Sequence, residues 1–137
     1  MLKKFFVLIV IDQITKAIFA DRDFFFGPLK VALVKNYGLP FGINSANALS
    51  LIILFAVFLF FVYYYARNRK TMLAQENLGF VFIFAGAVSN IIDRLVLGFV
   101  RDLFDLRLTF VFNLADAFIV MGIIMIIFST SFKRHVS

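Results

Sequence analysis

The sequence predicts an all-α integral membrane protein with four transmembrane helices and a small extracytoplasmic sheet. Three observations carry that expectation. The 137 residues are 63% hydrophobic, 18% aromatic and only 16% charged, with a mean hydropathy of +0.98. Soluble domains run nearer half apolar and a quarter charged, and a domain this small cannot hide so much apolar surface from water. Four long apolar runs follow one another along the chain, and the basic residues gather in the gaps that would face one side of a membrane.

The first run covers about residues 5–19 and is interrupted by Asp12 and Lys16. A helix needs about 20 residues to cross the hydrocarbon, so this run is marginal. Lys3-Lys4 followed by FFVLIVI resembles the charged and apolar parts of a signal peptide. The polar Asp12 and Lys16, and a poor cleavage site at Ile18-Phe19-Ala20, favour an uncleaved helix. The second run covers about residues 46–66, the third about 78–97 and the fourth about 110–128. One domain of residues 1–137 is expected, with extracytoplasmic segments at about 20–45 and 98–109. In the longer of these, Val31-Ala32-Leu33-Val34 predicts a strand and Asn36-Tyr37-Gly38 a turn.

Charge placement supplies the orientation. Lys3, Lys4, Arg67, Arg69, Lys70, Lys133 and Arg134 fall on one side of a four-span chain, with Glu76 the only acid near them. That side is expected to be the cytoplasm. The net charge of +6 is therefore assigned to orientation, and no nucleic acid partner is expected. The other side receives Lys16, Arg22, Lys30, Lys35, Arg94, Arg101 and Arg107 together with every aspartate.

Cysteine is absent, which excludes disulfides and thiolate chemistry, and His135 is the single histidine. No metal site or cofactor is expected, and acid–base chemistry must fall on carboxylates, Lys or Tyr. Asp12, Thr15 and Lys16 share one helix face, where Asp12 and Lys16 can pair; the plainer reading makes Lys16 an interfacial anchor snorkelling to the head groups. Gly86, Asn90, Asp93 and Arg94 share a face of the third run, and Gly86 lets another helix approach. Asp93 and Arg94 alternatively just mark that helix's outer end. Gly98 breaks the helix, and the apolar residues around Asp102 hold that acid at the interface; alone it would read as a solvated loop residue. Asn113 and Asp116 share a face at the start of the fourth run, where an acid can cap a helix. An ionisable group inside a span is costly enough to point to function as well. Two aspartates a few ångströms apart share a proton, so one acts as base while the other acts as acid.

These motifs resemble the bacterial lipoprotein (type II) signal peptidases, a family of aspartyl peptidases. Asp12-Gln13-Ile14-Thr15-Lys16 resembles the family's D-x-x-[TS]-K, and Asn36 to Gly42 resembles N-x-G-x-[AS]-F. Ser89 to Arg94 resembles G-N-x-x-D-R, Gly98 to Asp102 resembles G-x-V-x-D, and Phe112 to Asp116 matches F-N-x-A-D. The resemblance implies Asp102 and Asp116 as the catalytic pair. It implies Asp12, Lys16, Asn36, Gly38, Asn90, Arg94 and Asn113 as substrate-binding or supporting residues. It implies four membrane helices with a β-cradle, and hydrolysis of the peptide bond before the diacylglyceryl-modified cysteine of a prolipoprotein. The location implied is the bacterial cytoplasmic (inner) membrane, with both termini cytoplasmic and the site at the outer face in contact with membrane lipid. A monomer is expected. Ser89 stands where Gly is usual, Leu39-Pro40 stands where small residues are usual, and the first span and external loop are short for the family.

Two other classes compete. A small four-span transporter would need a membrane acid, but near the bilayer midplane, whereas these acids gather at one end of the spans. A non-catalytic membrane scaffold would not need Asp102 and Asp116 together with Asn90 and Asn113.

Overall fold

A computed structural model describes residues 1–39, 43–44, 48–106 and 110–136, with backbone alone at 38–39, 43–44, 48–51 and 132–136. Pro40-Phe41-Gly42 of the second motif, the expected start of the second span at Ala46, and Arg107 lie outside the described residues. Among those described, the order is α1 (Leu2–Ile18), β1 (Phe24–Phe26), β2 (Leu29–Asn36), β3 (Gly38–Leu39), β4 (Ile43–Asn44), α2 (Ala48–Asn68), α3 (Ala74–Leu97), β5 (Val100–Asp105), β6 (Val111–Phe112) and α4 (Leu114–Val136).

The all-α expectation needs correcting. The chain is mostly helical, but β1, β2, β5 and β6 form an antiparallel sheet in that order, and β3 pairs with β4. Val31–Val34 lies within β2, as the sequence predicts. Residues 98–109 were expected only as an external segment, yet Val100–Asp105 pairs along β2. Phe110 was expected to open the fourth helix. Instead Val111 and Phe112 pair with Asp105 and Phe104, so α4 starts four residues later, at Leu114. Sheet pairing captures this apolar run because β-branched and aromatic residues suit a half-buried strand.

Helix α3 is the axis of the molecule. Its tightest neighbour is α4, and the seam between them is built from glycines. A Cβ at Gly79 would lie 2.8 Å from the Gly122 carbonyl oxygen, and a Cβ at Gly86 would collide with the carbonyl of Ala115. Backbones can approach so closely only where no side chain intervenes. Gly86 is one helical turn before Asn90, so this contact sets α4's first turn beside the polar face of α3. Helix α2 meets α3 through aromatic rings: Phe58 on Phe84, Tyr64 and Tyr65 on Phe80, with centroids 5.2–6.0 Å apart. At its other end α3 stops at Gly98, whose φ of 80° is a left-handed conformation open to glycine. That turn reverses the chain into β5.

The outer faces of the helices are greasy. Phe6, Val10 and Ile14 of α1, Leu59, Phe60 and Tyr63 of α2, and Val120, Ile127 and Phe128 of α4 are all exposed. Helices Ala74–Leu97 and Leu114–Ser131 are long and apolar enough to cross a membrane. Helix α1, with 17 residues, spans about 26 Å at 1.5 Å per residue, a little under the hydrocarbon thickness.

The α3–α4 seam is testable. Gly86→Ala is expected to force the helices apart and to cost about 1–3 kcal/mol, as overpacking does. Thermal unfolding in detergent micelles measures it, and an unchanged melting temperature would mean that the backbones are not in contact there.

Candidate active site

Only two side chains of α1 are completely buried, Asp12 and Lys16, and both are charged. Their i, i+4 spacing brings Lys16 Nζ to 2.7 Å from Asp12 Oδ2. The ammonium also lies 3.2 Å from Asp93 Oδ2 and donates to Asn90 Oδ1 at 3.0 Å. Its three protons thus have three acceptors. Lys16 is not a snorkelling anchor: it is 0% exposed, and it turns inward because α3 presents two acceptors there.

Asp93 is likewise no simple marker of a helix end. Its carboxylate receives Lys16, Gln13 Nε2 (3.0 Å), the backbone N–H of Arg101 (3.0 Å), and Arg101 Nε (3.3 Å) and Nη2 (2.7 Å). Ser89 fills the gap next to Asp12. Its hydroxyl donates to Asp12 Oδ2 at 2.6 Å and accepts from Gln13 Nε2 at 2.9 Å. The departure from glycine at this position therefore adds a link between α1 and α3.

The remaining oxygen of Asp12, Oδ1, accepts the backbone N–H of Ala115 at 2.9 Å, in α4's first turn. That turn is closed by a reciprocal cap. Asp116 N donates to Asn113 Oδ1 at 3.0 Å, and Asn113 N donates to Asp116 Oδ2 at 3.2 Å. Asp116 is thus partly a helix cap, but only one of its oxygens is used for that. Oδ1 accepts from Asn90 Nδ2 at 2.8 Å.

Asp102 arrives from β5 and is 2% exposed. Asn113 Nδ2 donates to its Oδ1 at 2.7 Å, and Asn36 Nδ2 donates to its Oδ2 at 2.8 Å. Asn36 reaches it because Val34 is opposite Asp102 and Asn36 opposite Val100 in the β2–β5 register, beyond an irregularity after Val31. Asn113 therefore touches both acids, Asp102 through its side chain and Asp116 through its cap. The charge of Arg94 acts on Asp116, Asp102 and Asp93. Gly38 opens β3 opposite Asn44, two residues after Asn36.

Burial pushes the Asp102 carboxyl up to about 6. The charge of Asp116 adds to the rise, while the hydrogen bonds from Asn36 and Asn113 and the charge of Lys16 oppose it. One asparagine thus bridges two carboxyl groups, and one of them is reluctant to ionise.

Comparisons with known proteins identify the family. Residues 4–132 match the family described as signal peptidase (SPase) II. The chain belongs to the signal peptidase II family. A lipoprotein signal peptidase of Fusobacterium nucleatum is 32% identical, over 90% of this chain and 81% of the relative. One from Clostridioides difficile is 40% identical, over 68% of this chain and 64% of the relative. A solved structure described as a bacterial membrane enzyme superposes with a TM-score of 0.82 at 26% identity, covering 97% of this chain and 88% of that one. This signal peptidase is thus a membrane protein and a peptidase.

The structure brings Asp12, Lys16, Asn36, Asn90, Asn113, Asp102 and Asp116 into one hydrogen-bonded cluster. Sequence reasoning missed Gln13, Ser89 and Arg101 as its members. Gln13 adjoins Asp12, and Arg101 adjoins Asp102, but neither position has a helical spacing that points to Asp93.

Two measurements follow from this geometry. Lys16→Met leaves Asp12 and Asp93 facing each other without their shared cation, and is expected to cost about 3–5 kcal/mol in detergent unfolding. The raised carboxyl of Asp102 also makes stability depend on pH. Its folded value of about 6 exceeds the ordinary 3.8, so its contribution is complete below pH 3.8 and disappears as pH rises through 6. That component, at most about 3 kcal/mol, is expected to vanish in Asp102→Asn when melting is followed across this range.

Proposed function

We propose that this signal peptidase removes signal peptides from prolipoproteins by hydrolysing the bond before the diacylglyceryl-modified cysteine, with Asp102 and Asp116 as the catalytic pair. The observation that carries the reading is Asn113, which hydrogen-bonds both carboxyl groups. In this mechanism the ionised member takes a proton from a water between the two acids. That water attacks the scissile carbonyl carbon, and the protonated member donates to the departing amide nitrogen. Asn36, Asn90 and Asn113 aim the acids, and Asp12 and Lys16 hold α4's first turn and Asn90 in place. Arg94 supplies positive charge beside the pair, and Gly38, at the start of β3, is assigned to substrate binding.

The chain is read as four membrane-crossing helices with both termini in the cytoplasm, and the pair at the outer face. The exposed apolar faces of α1, α2 and α4 support this. So does a cleft of ≈ 750 Å³ that joins Lys4 at the start of α1 to Arg69 and Lys70 at the α2–α3 link, one shared basic end. The chain is read as one domain acting as a monomer. The transporter and scaffold readings give way to the peptidase family membership.

Asp102→Asn and Asp116→Asn, assayed separately on a lipid-modified precursor, are each expected to reduce cleavage by at least about a thousandfold while the protein still inserts. Cleavage at the unaltered rate by either variant would remove that residue from the catalytic pair.

A further inference from the structure

Strand β5 delivers Asp102, yet one turn at Gly98 is all that links it to α3. Pairing with β2 and β6 and the buried Val100 and Leu103 hold the strand in the sheet, and the residue before Asp102 ties it to α3 and α1 by polar bonds. Arg101 gives Asp93 its backbone N–H at 3.0 Å, its Nε at 3.3 Å and its Nη2 at 2.7 Å. The same Nη2 donates to Gln13 Oε1 at 2.7 Å. Main chain and side chain of one residue are thus tied to a single carboxylate of α3, and the side chain also reaches α1. Asp93 is itself immobile, since it is fully buried and also receives Lys16 and Gln13 Nε2. The G-x-V-x-D pattern leaves position 101 open, so nothing in the motif assigns this residue.

We infer that Arg101 is a positioning residue for the peptidase reaction: gripped by Asp93 and Gln13, it seats β5 on α3 and α1 and thereby sets where Asp102 points. This inference rests on the reading of Asp102 and Asp116 as the catalytic pair. Arg101 has no contact with either acid through its side chain, so it acts through the strand. The guanidinium suits the task because its planar fork binds a carboxylate side-on and still has an N–H for Gln13. A lysine keeps the charge but has one nitrogen and cannot make that pattern. Positioning matters at this scale, because a displacement of about 1 Å at a reacting group can cost about a hundredfold in rate.

A loosened β5 would also admit water to Asp102. The charges acting on Asp102 are Asp116 from α4 and Lys16 from α1, with Arg94 of α3 nearby; Asn36 of β2 and Asn113 add neutral hydrogen bonds. Arg101→Gln alters none of these groups, but it removes the cation paired with Asp93 as well as loosening the strand, and the two changes act on the Asp102 carboxyl in opposite directions.

The experiment is steady-state cleavage of a lipid-modified precursor by Arg101→Gln, Arg101→Lys and Asp102→Asn in detergent micelles. Rates are taken per folded molecule and across pH. The expected result for Arg101→Gln is kcat about 10–100-fold lower with KM within about twofold. Arg101→Lys should fall between the glutamine variant and the unaltered enzyme. An unchanged kcat in Arg101→Gln, with Asp102→Asn inactive, overturns this inference and leaves the catalytic pair standing. A raised KM at unchanged kcat overturns it too, since Arg101 would then be contacting substrate. Loss of activity only in proportion to loss of folded protein, in both Arg101 variants, would reduce the residue to general stability. Full activity in Asp102→Asn would take down the catalytic pair and this inference together.

Discussion

One buried ammonium organises the polar end of this molecule. Lys16 lies wholly inside, and a lone charge there would be prohibitively costly, so its neighbours must answer it. Asp12 and Asp93 do so from α1 and α3, and Asn90 takes the third proton. Two acids around one cation leave an excess of negative charge, and Arg101 balances it from β5. Each partner is thereby committed to a second element: Asp12 to α4, Asp93 to β5, Asn90 to Asp116. In an apolar bundle where packing alone is weakly directional, this ion cluster supplies the register.

The cluster and the acid pair divide the polar groups between two tasks. Around Lys16, donors and acceptors are matched and tightly held, which makes that part a rigid support. Around Asp102 the balance differs, because burial presses against ionisation and the opposing hydrogen bonds come from neutral amides. Amides orient a carboxyl group without neutralising it. Asparagines 36, 90 and 113 therefore position two acids while leaving their proton chemistry available.

Much of this could be read from spacing. The i, i+4 pair Asp12–Lys16, the turn from Gly86 to Asn90, and the i, i+3 pair Asn113–Asp116 all express helical periodicity, which a sequence displays directly. The aspartates' location at one end of the apolar runs pointed to the same end of the fold. What stayed hidden depends on pairing between distant segments. Whether Val111-Phe112 starts a helix or closes a sheet is decided by β5, and β5 itself is recognisable only against β2. Gln13 and Arg101 were overlooked for a related reason, since they meet at a carboxylate far from Gln13 in sequence and outside any helical repeat. Ser89 read as a departure from a pattern, and only its two partners reveal it as a bridge.

The cap on α4 carries one more implication. Asp116 is oriented by the same hydrogen bonds that begin the helix, and Ala115 beside it is held by Asp12 of the first helix. Under the proposed chemistry, the chain's first and last helices must have met before the acids face each other. The two acids are then set in place only once α4 has docked against α1 and α3. Proteolytic competence would belong to the assembled bundle and to no helix alone.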